Sequence, residues 1–232
     1  MDVPELTADE IQARVLHRDG LMLIIDKPAG LPVHRGPKGG ANLEASFDAL
    51  RFGLPRPPVL AHRLDKDTSG CLVLGRHRKA TASLGLMFKH GKIDKTYWAV
   101  VEGGPAGDEG TIELPLGRKN AERGWWQKPD PEGQPAVTNW KVVGRGEGLA
   151  WLAMEPVTGR THQLRVQLAH HGHPIYGDAR YGSVRTFGHA IALHARALTF
   201  LHPVRYEPIT LTAPLPGDWL SRFKSVLGEG RE

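Results

Sequence analysis

The stretch His62-Arg63-Leu64-Asp65-Lys66-Asp67-Thr68-Ser69-Gly70 places five ionisable side chains directly ahead of a short apolar run at residues 71–74. A short apolar run of this kind predicts a buried strand, and the preceding Pro57 and Pro58 predict an extended approach. The polar stretch should therefore lie on a loop that the core anchors at its exit, where catalytic side chains are commonly positioned. The alternative is a charged hairpin tip whose Asp, Thr and Ser residues cap their own backbone.

Three further segments extend the pattern, and together with the first they resemble a known family. The opening stretch is similar to the signature His-Arg-Leu-Asp-x-x-Thr-Ser-Gly of the RluA-type family of RNA pseudouridine synthases. Residues 95–99 (Lys-Thr-Tyr-Trp-Ala) and 159–166 (Gly-Arg-Thr-His-Gln-Leu-Arg-Val) resemble later motifs of that family in the expected order, and Lys27-Pro28 is a weaker fourth match. The resemblance spans residues 15 to 215, leaves no room for the N-terminal S4-type domain of some relatives, and departs at Gln167, where relatives usually have His.

The resemblance implies a fold, a site and a reaction. The implied fold is the α+β pseudouridine synthase fold, a large bent mixed sheet, mostly antiparallel, with helices and loops around a basic cleft. Asp65 would be the catalytic residue, and Arg63, Tyr97 and Arg165 would bind the substrate: Arg63 reaching the RNA, Tyr97 stacking on the target base, and Arg165 pairing with Asp65. The implied activity converts specific uridines in structured ribosomal or transfer RNA to pseudouridine, with no cofactor and no metal.

The length of 232 residues is consistent with a single domain over residues 1–232, which by the resemblance would be the pseudouridine synthase catalytic domain. The formal net charge of +5 would suit a polyanionic partner such as RNA if the basic residues cluster. Cys71 is the single cysteine and lies inside an apolar run, which predicts a buried, reduced thiol and no disulfide. Because no basic leader or membrane-length apolar run is found, we expect a cytoplasmic protein with no membrane contact. No feature of the sequence indicates an obligate protein partner, and we expect a monomer.

Local patterns predict the order of helices and strands. We expect helices from the Thr7 capping box through Val15 and Leu16, over residues 42–52, 76–89 and 160–170, and at 216–227. Strands are expected at 21–25, 71–74, 95–101, 111–114, 137–143, 149–154 and 193–200, with antiparallel hairpins in the second half of the chain. The basic side chains of helix 76–89 form either a solvated face or a set of phosphate contacts.

Other interpretations compete at several places. The sequence Asp65-Lys66-Asp67-Thr68 matches the nucleophile loop of HAD-type phosphatases, although such a loop should directly follow a hydrophobic strand. A non-catalytic RNA-binding module would explain the charge but not Asp65. Residues 118–128 interleave basic and aromatic side chains, either to grip single-stranded RNA or to attach a hairpin to the core. The histidines at 170, 171 and 173 could suggest zinc, but no cysteine accompanies them at a recognised spacing.

Overall fold

The computed structural model describes residues 3–36, 39–117, 127–185, 188 and 190–227. The strands in this part of the chain are β1 (Val15–Arg18), β2 (Met22–Lys27), β3 (Val59–Leu60), β4 (Ser69–Gly75), β5 (Ile93–Glu102), β6 (Glu109–Glu113), β7 (Val137–Gly146), β8 (Leu149–Pro156), β9 (Leu193–Leu201) and β10 (Pro208–Thr212). The α-helices are α1 (Ala8–Gln12), α2 (Arg78–Lys89), α3 (Gln163–His170), α4 (Gly217–Arg222) and α5 (Lys224–Leu227). No described helix is long and apolar enough to cross a membrane.

The chain divides into two compact units. The first comprises Met1–Lys95 and His194–Pro214, and the second comprises Thr96–Leu193 and Leu215–Glu232. One boundary therefore falls inside β5 and another at the start of β9.

In the first unit, β4 is the central strand. It pairs with β2 antiparallel and with β9 parallel, while β1 extends the sheet beyond β2, β10 lies beside β9, and β3 pairs with the end of β4. Every residue of β4 is buried, which confirms the buried strand predicted from its apolar sequence. Gly70 is required here because it has a φ of +107°, and a Cβ would lie 2.3 Å from the carbonyl oxygen of Ala195 on β9.

The helices of the first unit follow the predictions in part. The Thr7 capping box is present, but α1 ends at Gln12, and Val15 and Leu16 belong to strand β1 instead of the predicted helix. Residues 43–50 form a 3₁₀ helix capped by Asn42, with its apolar face buried as expected. Helix α2 packs Leu84 into a core with residues of β2, β4 and β9, including Cys71. Burial raises the pKa of the Cys71 thiol to about 12, so this cysteine is an inert core residue, as predicted.

The second unit is an antiparallel arrangement in the order β5-β8-β7-β6. The β6–β7 and β7–β8 hairpins confirm the predicted antiparallel second half. Its core is formed by apolar residues of β5 and β8 together with α3 and the C-terminal helices. The predicted C-terminal helix is divided into α4 and α5 at Phe223, whose ring is fully buried.

Helix α3 is shorter and more buried than the sequence suggests. It begins at Gln163, after His162 in a left-handed conformation with a φ of 52°, whereas the motif predicted a helix from residue 160. Leu164 and Leu168 are buried as expected, but Arg165 on the neighbouring face is buried as well. Among the described residues, strands outnumber α-helices in both units, and antiparallel pairs predominate beside the parallel β4–β9 pair. The fold class is therefore α+β with mixed, mostly antiparallel strands, as predicted.

Candidate active site

Asp65 lies on the loop between β3 and β4, which we call the Asp65 loop (residues 61–68). Its side chain is half-buried, and its carbonyl oxygen accepts a hydrogen bond of 3.2 Å from the Thr68 N–H, which closes a turn over Lys66 and Asp67. Leu64 is buried just before Asp65, and Thr68 is buried just after the turn. The loop is therefore fixed in the core on both sides of the carboxylate, which confirms the predicted anchored loop.

The Lys27 side chain tethers this loop through hydrogen bonds to backbone carbonyls. Lys27, the last residue of β2, is fully buried, and its Nζ donates to the carbonyl oxygens of Pro28, Lys66 and Thr68 at 2.7, 2.9 and 2.8 Å. Three acceptors use all three N–H groups of an ammonium. Burial lowers the pKa of Lys27 to about 7, and the charges of Asp67 and Asp65 oppose that shift. The weak Lys-Pro match thus corresponds to a tether between β2 and the turn that follows Asp65.

His62, at the start of the loop, also fixes its position. Its Nε2 accepts a 2.9 Å hydrogen bond from the Val73 N–H, and its ring stacks on Phe88 of α2 with 4.0 Å between centroids. Burial, together with the nearby charge of Lys95, lowers the pKa of His62 to about 3. His62 is therefore a neutral structural residue at physiological pH, and its contact with Phe88 packs α2 against the Asp65 loop.

Helix α2, which contacts this loop through Phe88, carries exposed positive charge. Arg78, Lys79 and Lys89 are exposed on it. Arg76 is not part of this exposed set, because its guanidinium donates to the carbonyl oxygens of Asp19 and Arg51 at 2.7 and 3.2 Å. The choice between a solvated face and phosphate contacts thus concerns the three exposed residues, while Arg76 is structural.

Ser69 and His194 form a second buried tether. The Ser69 Oγ and the His194 Nδ1 are 2.8 Å apart, and they join β4 to β9. Burial lowers the pKa of His194 to about 4. Because both side chains are buried, this pair is a structural link and not an accessible nucleophile with its base.

The predicted substrate-binding residues lie in both units. Arg63 is exposed on the Asp65 loop, two residues before the carboxylate, in the first unit. Tyr97 is half-buried on β5 of the second unit, where it lies opposite Met154 of β8. Arg165 lies on α3, also in the second unit.

Arg165 has a partner that the sequence did not predict. Its Nε and one terminal nitrogen donate to the two carboxylate oxygens of Asp178 at 2.7 and 2.8 Å. The guanidinium carbon also lies 5.1 Å from the ring centroid of Tyr181. The Tyr181 hydroxyl accepts a hydrogen bond from the Gln127 N–H, and it lies 2.7 Å from the His162 Nδ1. The role of Arg165 toward Asp65 stays a prediction.

Gln167, the departure from the family pattern, has a structural role. It is fully buried; its Oε1 accepts from the Thr138 hydroxyl at 2.6 Å, and its Nε2 donates to the Ala136 carbonyl at 3.0 Å. These bonds join α3 to the β7 region. A fully buried side chain cannot contact RNA, so the substitution does not alter an RNA contact at this position.

The other interpretations of the sequence concerned a phosphatase loop, a zinc site and an RNA-gripping segment. Residues 61–64 separate the end of β3 from Asp65, so no strand runs directly into the carboxylate and the HAD-type phosphatase interpretation is wrong. His173 Nδ1 accepts from the Gly104 N–H, and no three His, Cys, Asp or Glu side chains group as a metal site in the part of the chain that the structure describes. Of the proposed RNA-gripping segment 118–128, only Gln127 and Lys128 fall within the described residues, and Trp125 and Trp126 lie outside them.

Comparisons with known proteins define the class. A family model described as RNA pseudouridylate synthase matches residues 21–170, which include the Asp65 loop and Arg165. The chain therefore belongs to the RNA pseudouridylate synthase family, and it is an isomerase that acts on uridine in RNA.

Individual relatives cover most of the chain. An uncharacterised RNA pseudouridine synthase of Zymomonas mobilis is 44% identical over 206 residues, covering 88% of this chain and 94% of the relative. The ribosomal large subunit pseudouridine synthase D of Xanthomonas campestris is 38% identical, covering 95% of this chain and 71% of the relative. Among solved structures, the human RNA pseudouridylate synthase domain containing 4 matches with a TM-score of 0.77 and 26% identity, covering 92% of each chain.

Proposed function

We propose that Asp65 is the catalytic carboxylate of this RNA pseudouridine synthase, and that Arg63, Tyr97 and Arg165 bind the substrate. The main support for this proposal is the turn that follows Asp65. The Lys27 ammonium donates hydrogen bonds to backbone carbonyls of this turn, so the half-buried Asp65 carboxylate is carried by a fixed backbone. A reaction that depends on one carboxylate requires such fixed placement.

The chemistry needs few groups. Isomerisation breaks the bond between N1 and C1′ of uridine and forms one between C5 and C1′; C5 loses a proton and N1 gains one, so no electrons are exchanged with a co-reactant. An ionised carboxylate can attack the sugar, add to C6 or remove the C2′ proton. Tyr97 offers a ring on which the extruded base can stack, and Arg63 offers a cation for the RNA backbone. The family resemblance gives Arg165 as the partner of the Asp65 carboxylate. We propose that no cofactor takes part.

The proposed substrate is structured RNA, either ribosomal or transfer RNA. The relatives named for the large ribosomal subunit, from Xanthomonas campestris and Vibrio vulnificus, favour ribosomal RNA. The exposed basic residues of α2, the helix that contacts the Asp65 loop through Phe88, suit a phosphate backbone.

We also propose that the two units work as one catalytic domain in a monomeric, cytoplasmic protein. The matched family segment, residues 21–170, runs across the boundary between Lys95 and Thr96, so the family motifs are shared between the units. The buried free thiol of Cys71 suits a reducing compartment. Size-exclusion chromatography with light scattering on the purified protein should give the mass of one chain; a dimer mass would contradict the monomer.

Asp65→Asn tests the catalytic role, because it keeps the side-chain volume and removes the negative charge. With RNA tritiated at C5 of uridine, and with a metal chelator in the buffer, wild-type protein should release tritium and the variant should release none. RNA affinity and melting temperature should stay near wild-type values. Asp67→Asn, two residues along the same turn, is the matched control and should remain active. Tritium release by Asp65→Asn would overturn the assignment, and dependence of the wild type on added metal would overturn the cofactor-free proposal.

A further inference from the structure

The Arg165–Asp178 pair is buried more deeply than an ordinary ion pair. The exposed fractions of Arg165 and Asp178 are 3% and 1%, and two parallel hydrogen bonds join them. Removing both charges from water is costly, so such a pair contributes little net stability compared with apolar residues of the same volume. What a bidentate pair does contribute is orientation, because two parallel bonds fix the plane of the guanidinium.

The backbone around Asp178 is itself fixed. Its N–H donates to the Ile175 carbonyl at 2.9 Å, and its own carbonyl accepts from Tyr181 and Ser183 at 3.1 and 3.0 Å. Ile175 in turn bridges to Val101 of β5. The carboxylate is therefore attached to the sheet of the second unit, while the guanidinium that it binds is carried by α3.

Tyr181 covers the guanidinium from another side. Its ring centroid lies 5.1 Å from the guanidinium carbon of Arg165, and its hydroxyl is fixed by Gln127 and His162. The Arg165 group is thus restrained at one edge by a carboxylate and at one face by an aromatic ring.

We propose that Asp178 is a positioning residue for Arg165: by binding the Nε edge of the guanidinium, it sets the direction in which the other N–H groups point. This inference rests on the proposed role of Arg165 toward Asp65. Asp178 touches neither the RNA nor the reacting atoms in this scheme, so its loss should slow turnover and leave RNA affinity almost unchanged. The sequence alone does not reveal this role.

The test is a double-mutant cycle between Asp178→Asn and Arg165→Met, read by single-turnover tritium release, RNA affinity and melting temperature. Asp178→Asn should lower the single-turnover rate by about a hundredfold, which is the size of a misplacement near one ångström. Adding Asp178→Asn to Arg165→Met should cause no further loss of rate, because Asp178 acts only through Arg165. Independent, multiplying losses would overturn the inference.

Two further variants keep the test decisive. Ser183→Ala removes the hydroxyl that binds the Gly177 N–H in the same turn without touching Arg165, so it should lower stability and leave turnover near normal. If Asp178→Asn fails to fold because it leaves a buried cation unpaired, Asp178→Glu keeps the charge and displaces it by one methylene. Asp178→Glu should then fold, bind RNA and turn over slowly; normal turnover would overturn the inference.

The outcomes separate this inference from the proposed function. Normal turnover of Arg165→Met would remove the proposed role of Arg165 and, with it, the reason to position that residue. A slow Arg165→Met together with a normal, folded Asp178→Asn would leave the proposed function intact and overturn the positioning role alone.

Discussion

The buried Lys27 should contribute both to the stability of the protein and, through the Asp65 loop, to its turnover. Lys27→Met keeps the length of the side chain but removes the donor to the Pro28, Lys66 and Thr68 carbonyls, of which the Lys66 carbonyl keeps the Gly30 N–H as a second donor. Each unsatisfied buried acceptor costs about 1–3 kcal/mol, and removing a buried charge offsets part of that loss. Because the loop loses its tether, turnover should fall on the order of tenfold or more. Lys66→Met, an exposed substitution on the same turn, is the matched control and should change neither rate nor stability.

The same residue makes a pH prediction with a definite sign. The pKa of Lys27 is about 7 in the folded protein, below its ordinary value of 10.5, because burial disfavours the ammonium. Between these two values the unfolded chain binds the proton more strongly than the folded chain, so the contribution of Lys27 to the free energy of unfolding rises with pH across that window. Urea unfolding from pH 7 to 9.5 should show this rise in wild type and in Lys66→Met but not in Lys27→Met. Parallel curves for all three proteins would contradict the assignment.

Helix α3 depends on buried polar contacts that the spacing of apolar residues in the sequence does not reveal. Gln167→Leu leaves the Thr138 hydroxyl hydrogen without its acceptor, whereas the Ala136 carbonyl still accepts from the Leu114 N–H. It should lower the free energy of unfolding by about 1–3 kcal/mol, the cost of one unsatisfied buried donor. RNA affinity should not change, because the side chain is fully buried. Thr138→Val added to Gln167→Leu should recover part of the loss, since both partners of that bond are then apolar and the Gln163 Nε2, which also donates to Thr138, keeps the Val137 carbonyl as an acceptor. Equal stability of Gln167→Leu and wild type would show that these bonds contribute nothing.

The same helix shows why some elements could be predicted from sequence and others could not. Leu164 and Leu168 revealed the buried stripe because apolar spacing reports it directly. The late start of α3 after a left-handed His162, and the strand at Val15, depend on tertiary contacts that override local patterns. The Asp65 signature indicated the candidate site by resemblance. The Lys27 tether and the Asp178 contact remained hidden because their partners are 39 and 13 residues away in sequence.

RNA binding by the whole protein depends on which of its positively charged side chains contact the phosphates. Some of the arginine side chains already have acidic neighbours: Arg51 pairs with Asp48 at 2.6 Å, and Arg205 pairs with Glu207 at 3.0 Å. Lys79 and Lys89 are exposed on α2, and the ring of Phe88 packs that helix against the Asp65 loop. A net charge of +5 is therefore less informative than the position of these two lysines.

The salt dependence of RNA binding distinguishes the exposed lysines of α2 from the arginines that are paired with carboxylates. Each cation that neutralises a phosphate releases counterions and contributes about 0.7 to 0.9 to the slope of log affinity against log salt. The double variant Lys79→Ala with Lys89→Ala should therefore weaken binding at low salt and make the slope shallower by about 1.4 to 1.8. The charge-matched control, Arg51→Ala with Arg205→Ala, should leave the slope unchanged, because each of those guanidinium groups already has a carboxylate partner. If the control and the lysine variant change the slope equally, RNA responds to net charge alone, and α2 is a solvated basic face and not part of the RNA-binding surface.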